Sequence, residues 1–337
     1  MPTTDSLSLI APPLPNLLWM IAAIFAALAA GSVIRFISLR KAEEQLRRKR
    51  FASLRTWWIV AIVVAVCLIA GRIGVCVLMA AAGVIAFREY ANLLGVRDSE
   101  RPAVYAVYAI ALVHYLLILF GHASAFVVFV PLGGLAILAV LQLVRGNPTG
   151  YTRTLGSLYW GMMVLIFGMS HAAYLFILPA TSIGPVGPAG WFLFLVILTE
   201  ADDIFQAIVG RAFGAHKRHR IAPTISPNKT WEGLIGGMLV TIVLAVLLAP
   251  WLTTLADGSG SPLQSGLLDR WAGPAIAGVV ITVAGYFGDI NMSAVKRDSG
   301  VKDSSRMLPG MGGLIDRVDS LTFAAPTLVW FAKWWAG

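Results

Sequence analysis

The chain has 337 residues, of which 58% are hydrophobic and only 13% are charged, and its formal net charge is +9. This balance excludes an ordinary soluble domain, because apolar runs of about 20 residues with few charges are typical of membrane-spanning helices. The positive charge fits membrane-side loops and anionic lipid, and we expect no nucleic-acid partner. Both cysteines, Cys67 and Cys76, fall in apolar runs, so neither a disulfide framework nor a cysteine metal site is expected.

The apolar runs predict an all-α integral membrane protein with about ten membrane-spanning helices and catalytic loops on the cytoplasmic side. The first run has no basic residue before it, so we interpret it as a retained span and not as a cleaved signal. The second predicted span is short and is separated from the third only by Gly71 and Arg72, which indicates a tight hairpin. The ten spans cover approximately residues 17–38, 57–71, 73–94, 103–120, 124–144, 155–178, 190–210, 231–250, 272–292 and 320–335.

Basic residues predict the orientation. The stretch LRKAEEQLRRKRFASLR between the first two spans is a basic helical segment that should stay in the cytoplasm, and we interpret it as a topology signal that also rests on anionic lipid. If successive spans cross the membrane in opposite directions, only three of the 26 Lys and Arg residues fall on the side opposite the cytoplasm: Arg72, Arg270 and Lys333. We therefore predict a protein of the inner (plasma) membrane whose active site faces the cytoplasm.

Three acids lie inside the seventh predicted span, in Glu200-Ala201-Asp202-Asp203. Ionisable groups within a span are costly, so acids at this depth indicate a functional site. The alternative is that they lie near the interface and are merely hydrated.

The loop that follows carries Ser226-Pro-Asn-Lys-Thr-Trp-Glu232. It combines a turn-forming Ser-Pro-Asn with a lysine, a threonine and a helix start that has an acid in its first turn. Backbone donors at a helix N-terminus, together with Lys229, can hold phosphate. Such loops before capped helices are common, so the pattern alone is weak. His216 and His219 have no third ligand nearby, and we interpret them as solvated.

The stretch from Gly288 to Thr322 concentrates five acids and five bases between the last two predicted spans. At its centre, the turn Pro309-Gly-Met-Gly-Gly313 cannot be the interior of a regular helix or strand. Asp316 and Asp319 are three residues apart, on one face of a helix start. A solvated loop of mixed charge is the alternative, but this spacing favours a site for a metal and a phosphate. With hard oxygen ligands and no cysteine, the expected metal is Mg²⁺.

These motifs resemble the signature of phosphatidate cytidylyltransferases (CDP-diacylglycerol synthases), over roughly residues 57–335. The family's second hallmark is similar to Ser226–Gly233, and Asp203 matches an acid that the family places before a Gly-Arg segment, here Gly210-Arg211. The first signature is present in order as Ser293, Lys296-Arg297, Lys302-Asp303, Pro309-Gly310-Met311-Gly312-Gly313 and Asp316-Arg317-Val318-Asp319.

Three features depart from the family pattern. Met311 stands where the usual turn has His, so this protein should not depend on an imidazole there. Gln206-Ala207 replaces the usual Ala-Tyr after the first acid, which affects how lipid or base is seated. The extra N-terminal span goes beyond the family core. These differences leave open a paralogue with a different lipid acceptor.

The resemblance implies a reaction of CTP with phosphatidic acid, supported by Mg²⁺, that gives CDP-diacylglycerol and pyrophosphate. It implies metal ligation by Asp203, Asp289, Asp316 and Asp319. It implies catalytic roles for Asp289, Lys296, Arg297, Asp316, Arg317 and Asp319. Substrate binding is implied for Ser226, Asn228, Lys229, Thr230, Ser293, Lys302, Asp303, Gly312 and Gly313. A homodimer is left open.

We divide the chain into an extra span with its basic segment (1–56), further membrane helices (57–180) and a catalytic membrane region (181–337). Two other enzyme classes fit the composition, a CTP-dependent lipid-alcohol kinase and a cytidylyltransferase for another lipid phosphate. A CDP-alcohol phosphotransferase fits less well, because the chain has no Asp-Gly-x-x-Ala-Arg motif. A transporter would also have intramembrane acids, but no inverted repeat is visible.

Overall fold

The computed structural model describes residues 14–40, 43–97, 100–144, 149–179, 184–214, 219–256 and 269–335, and these are almost entirely helical. Two π-helical segments, Phe129–Gly134 and Met162–Gly168, make α5 continuous with α6 and α7 continuous with α8. An antiparallel hairpin of β1 (Arg220–Ala222) and β2 (Ser226–Thr230) precedes α10. The helices are α1 (Leu14–Ser38), α2 (Glu44–Ile69), α3 (Gly71–Leu93), α4 (Arg101–Leu119), α5 (Ala123–Val128), α6 (Leu135–Val144), α7 (Tyr151–Gly161), α8 (Met169–Tyr174), α9 (Pro188–Phe213), α10 (Trp231–Leu252), α11 (Asp269–Asp298), α12 (Ile315–Val318) and α13 (Leu321–Trp335).

The prediction of an all-α membrane protein is confirmed. Among the described residues, eight helices are long and apolar enough to cross a membrane. The other two predicted spans correspond to α9, which carries three acids, and to α13, which has only 15 residues. The number of ten spans is therefore not confirmed.

The second span is longer than predicted. Helix α2 begins at Glu44, so the basic stretch and the apolar span form one continuous helix of 26 residues. The expected boundary at residue 57 was wrong because the preceding residues are good helix formers without Gly or Pro. The tight hairpin is confirmed, since α2 ends at Ile69 and Gly71, with φ +64°, starts α3.

Helix α11 also runs past its predicted end at residue 292, and it ends at Asp298. Gly300, with φ +72°, terminates it: Val301 N–H donates to the Lys296 carbonyl at 2.8 Å and Gly300 N–H to the Arg297 carbonyl at 3.0 Å. This is a Schellman C-cap, and it provides partners for the last helical carbonyls. Ser293, Lys296 and Arg297 therefore lie on a helix and not in the loop where we expected them.

The segment predicted as a loop before α10 contains the β1–β2 hairpin, so that expectation was wrong in part. The predicted helix start is confirmed: Thr230 caps α10, and its hydroxyl accepts a hydrogen bond from Gly233 N–H at 3.2 Å. His219 is half-exposed and pairs with Glu232. His216 lies outside the described residues.

Helices α9, α10, α11 and α13 pack on one another in the second half of the chain. Glycines allow α10 to approach α9 closely. A Cβ on Gly233 would lie 2.7 Å from the Gln206 carbonyl, and one on Gly237 would lie 2.4 Å from the Gln206 side chain. This small-xxx-small contact holds β2 and the start of α10 against the acidic turn of α9.

Candidate active site

Three predicted acids come together from α9, α11 and the turn before α13: Asp203, Asp289 and Asp319, here called the carboxylate cluster. The close approach depends on α11 having Gly288, because a Cβ there would lie 2.5 Å from the Asp319 carbonyl oxygen. Serines bind the cluster, with Ser293 Oγ donating to Asp289 at 3.2 Å and Ser320 Oγ donating to Asp203 at 2.8 Å.

Lys229 of β2 reaches into this cluster. Its Nζ lies 2.7 Å from Asp289 and 3.8 Å from Asp203, and it donates to Gln206 Oε1 at 3.1 Å. Burial opposes the charge of this amine, but Asp289 and Asp203 raise its pKa, so Lys229 stays protonated. The predicted phosphate-binding lysine is therefore a direct partner of the predicted metal ligands.

Asp319 is the member of the cluster that lies in the turn before α13. Its side chain is buried, and its Oδ1 accepts from Ser320 N–H at 3.0 Å. Burial, followed by the charges of Asp289 and Asp203, raises the pKa of Asp319 to about 8. The three carboxylates of the cluster carry more negative charge than Lys229 alone can neutralise. This excess is expected of a site that binds a further cation.

In the described part of the chain, no group of three or more Asp, Glu, His or Cys side chains is arranged to hold one metal ion directly. Mg²⁺ does not require such a cage, because it usually keeps several waters and binds through one or two carboxylates plus substrate phosphates. The donors of the cluster, carboxylate and serine oxygens, are of the kind Mg²⁺ prefers.

Asp316, predicted as a fourth metal ligand, has other partners. Its Oδ1 accepts from Lys296 Nζ at 2.6 Å, and its Oδ2 accepts from the N–H groups of Gly313 (2.9 Å) and Ser304 (3.1 Å). Burial works against ionisation, but these partners hold the pKa of Asp316 below its usual range. Lys296 also interacts electrostatically with Asp319. It therefore links Asp316 to the carboxylate cluster.

Glu89 of α3 is a site residue that sequence reasoning missed. Its buried carboxylate accepts four hydrogen bonds, from the hydroxyls of Ser304 (2.8 Å) and Ser305 (2.6 Å) and from the N–H groups of Leu314 (3.0 Å) and Ile315 (3.1 Å). These donors flank the glycine-rich turn on both sides, so Glu89 fixes its shape. An acid inside an apolar span was the one available signal, the same that marked Glu200.

The glycines of this turn are required by space and by backbone angle. Gly310 and Gly312 have φ +77° and +91°. A Cβ on Gly310 would lie 2.8 Å from the backbone of α2 at Lys49 and Ser53, and Thr56 Oγ1 donates to the Pro309 carbonyl at 3.1 Å. The basic end of α2 thus supports the turn through its backbone, while its charged side chains are exposed.

The remaining charged residues predicted for the site are exposed. Arg297 is exposed and donates to the carbonyls of Ile225 (3.1 Å) and Val301 (3.0 Å). Lys302 and Asp303 are exposed in the loop after α11. Arg317 is exposed, and its charge interacts with those of Glu200 and Asp203.

A polar cavity of about 470 Å³ lies beside the cluster, between β2 and the end of α9. It is lined by the predicted substrate residues Ser226, Asn228, Lys229 and Thr230. Arg211 and Arg220 add positive charge. Lys229 is thus shared by the cavity and the cluster. Such a cavity suits an anionic ligand whose phosphates extend toward the carboxylates.

The other acids of α9 have separate surroundings. Asp202 is buried and accepts from Gln206 (2.7 Å), Thr241 (3.3 Å) and Thr282 (3.1 Å), so it joins α9 to α10 and α11. Gln206, which departs from the family pattern, bridges Asp202 and Lys229. Glu200 faces an apolar groove toward α1 and α2.

Comparison with known proteins identifies the family of this chain. A model described as the cytidylyltransferase family matches residues 51–335. The chain belongs to the cytidylyltransferase family. It is therefore a nucleotidyltransferase, and its long apolar helices make it an integral membrane enzyme.

Two of the following curated relatives align with most of the chain, and the third aligns with less than half of it. A protein of Escherichia coli K12 named uncharacterized protein YnbB is 36% identical over 93% of this chain and 97% of its own length. A phosphatidate cytidylyltransferase of Brucella abortus is 30% identical over 77% of this chain and 85% of its own length. One from Haemophilus influenzae is 40% identical over 41% of this chain and 44% of its own length.

Proposed function

We propose that this enzyme transfers the cytidylyl group of CTP to phosphatidic acid, giving CDP-diacylglycerol and pyrophosphate. The observation that carries the proposal is the position of Lys229, which lines the polar cavity and contacts Asp289 at 2.7 Å. Nucleotide phosphates in the cavity would therefore meet the carboxylate cluster. Two curated relatives named phosphatidate cytidylyltransferase support the choice of lipid.

The reaction needs charge neutralisation more than proton transfer. A phosphate oxygen of phosphatidic acid attacks the α-phosphorus of CTP, the bond from that phosphorus to the β-phosphate oxygen breaks, and pyrophosphate leaves. The attacking oxygen is already anionic, so no general base is required. Lys229 and Lys296 would bind phosphate oxygens at the cluster, and Arg317 would bind the lipid phosphate.

We propose Mg²⁺ as the metal, bound at the cluster of Asp203, Asp289 and Asp319 through one or two of these carboxylates together with substrate phosphates. It would supply charge neutralisation and alignment of the in-line displacement. The raised pKa of Asp319 supports this choice, because a cation would offset the repulsion among the three carboxylates. Asp316 acts in this scheme by orienting Lys296.

We further propose that the site opens to the cytoplasm at the inner membrane, where CTP is available. The exposed basic first turns of α2 lie against the glycine-rich turn that precedes Asp316 and Asp319, which supports this orientation.

The test supplies purified enzyme with Mg²⁺, phosphatidic acid and CTP labelled on either the α- or the γ-phosphate. Cytidylyl transfer puts only the α label into lipid and releases the γ label as pyrophosphate. A parallel reaction with diacylglycerol in place of phosphatidic acid tests for a lipid-alcohol kinase, which would put the γ label into lipid. No labelled lipid in either reaction would refute both activities. Asp289→Asn should lower turnover by about a hundredfold or more. Asp298→Asn, an exposed acid at the end of the same helix, is the matched control and should retain activity.

A further inference from the structure

An apolar groove runs along the membrane-spanning part of the enzyme between α1, α2 and α9. Its volume is about 340 Å³. Each helix contributes a stripe of apolar side chains at helical spacing, such as Val60, Val64 and Leu68 of α2. Among the described residues that line it, Glu200 is the sole ionisable one.

Helix α1, which forms one wall of the groove, buries few of its side chains. Of the α1 side chains that the structure describes, only Leu17 is buried. Polar contacts hold the helix nearer its two ends, where Asn16 donates to the Pro185 carbonyl at 3.0 Å and Trp58 donates to Ser32 at 3.1 Å. Helix α1 also lies outside residues 51–335, the part matched by the family.

The length of the groove suits a lipid chain. Along α9 it extends from Leu193 to Ile204, which is about 16 Å of helix. One leaflet of the hydrocarbon core is about 15 Å deep, half of the roughly 30 Å bilayer core. The groove therefore has the dimensions of an acyl chain in a single leaflet.

The groove is continuous with the active site. Glu200 lines the groove and lies one helical turn before Asp203 of the carboxylate cluster. Its charge interacts with those of Asp203 and Arg317. If the lipid phosphate binds near Arg317, the glycerol of the lipid would lie beside the part of the groove that Glu200 lines.

We propose that this groove binds one acyl chain of the phosphatidic acid substrate, so that α1 acts as one wall of the lipid site. This inference rests on the proposed function. The occupant is the substrate's chain, and neither bulk bilayer lipid nor a second copy of the enzyme.

Photo-crosslinking tests occupancy without turnover. Wild-type enzyme in nanodiscs is illuminated with phosphatidic acid that carries a diazirine at the end of one acyl chain. We expect labelled peptides from α1, α2 and α9, and we expect dioleoyl phosphatidic acid to compete while dioleoyl phosphatidylcholine does not. Labelling that both lipids reduce equally would identify ordinary bilayer lipid and overturn the proposal.

A matched pair of variants tests the consequence for catalysis. Val64 lines the groove, whereas its neighbour Val63 does not and is 43% exposed. Val64→Trp should raise KM for dioleoyl phosphatidic acid about tenfold more than KM for a dihexanoyl analogue, because it displaces several methylene groups. Val63→Trp should leave the ratio of the two KM values unchanged. Equal ratios in both variants would refute the groove, whereas no CDP-lipid from wild-type enzyme would refute the proposed function instead.

Discussion

Gly313 is the residue with the least room for a side chain in the glycine-rich turn. A Cβ there would lie 1.9 Å from Ser304 Oγ and 2.6 Å from Glu89 Oε2. Gly313→Ala should therefore displace the loop that holds Asp316 and lower kcat about tenfold or more. The matched control is Gly156→Ala in α7, where no atom lies within 4 Å. The control should retain full activity with equal or slightly higher stability. Equal activity of the two variants would contradict this assignment.

The carboxylate of Glu89 gives a second test at the residue scale. Glu89→Gln replaces one acceptor oxygen by an amide donor and leaves two N–H or O–H groups of the turn without their partner. Each unpaired buried donor costs about 1–3 kcal/mol. We expect lower kcat together with faster proteolysis within residues 304–315. Glu44→Gln, at an exposed acid of α2, is the control. Unchanged proteolysis and turnover in Glu89→Gln would show that the turn does not need this acceptor.

At the scale of elements, Arg297 couples the hairpin to α11. Its guanidinium donates to the Ile225 carbonyl between β1 and β2 and to the Val301 carbonyl after α11. Lysine cannot reproduce this fork of donors. Arg297→Lys should therefore raise KM for CTP about threefold or more and change kcat little. Arg317→Lys, at a position assigned to the lipid phosphate, should instead raise KM for phosphatidic acid. If Arg297→Lys instead lowers kcat and leaves KM for CTP unchanged, the result would support the catalytic role of Arg297 that the sequence resemblance implied.

Element types were predictable from sequence, but their boundaries were less so. Apolar length and composition predicted the helices, and Thr230 and Glu232 predicted the start of α10. The continuation of α11 to Asp298 depends on the cap at Gly300, which a rule based on apolar length does not detect. The β1–β2 hairpin follows from pairing between Arg220 and Thr230, and neither strand has the apolar alternation of a typical strand.

For the whole molecule, Mg²⁺ should act on stability as well as on turnover. The raised pKa of Asp319 means that its contribution to stability is complete below the ordinary Asp pKa and is lost as the pH rises through about 8. Metal-free enzyme in EDTA should therefore have a lower Tm at about pH 9 than at about pH 6, and Mg²⁺ should raise Tm more at the higher pH.

Thermal unfolding followed by intrinsic tryptophan fluorescence measures both effects. Asp319→Asn removes the titrating group, so its Tm should depend less on pH and on Mg²⁺. A shift with Mg²⁺ that is equal in wild type and Asp319→Asn would contradict the assignment of Asp319 to the metal.

Across the molecule, the ordered motifs identified the family and named most of the residues that now surround the site. The motifs did not indicate which acid pairs with which lysine. Asp316 pairs with Lys296, whereas Asp289 pairs with Lys229, and such pairings depend on helix packing and not on spacing along the chain. Glu89 could not be assigned for the same reason, because its partners lie 215 to 226 residues further along the chain.

That separation has a consequence for how the enzyme is made. Glu89 enters the membrane with the third helix, long before Ser304 and Ile315 are synthesised. Until then its carboxylate has to be protonated, hydrated or transiently paired, since an unpartnered buried charge is strongly unfavourable. We therefore expect completion of the proposed active site to be among the last events of biogenesis, and we expect a nascent chain halted before α12 to be an anchored bundle without cytidylyl-transfer activity.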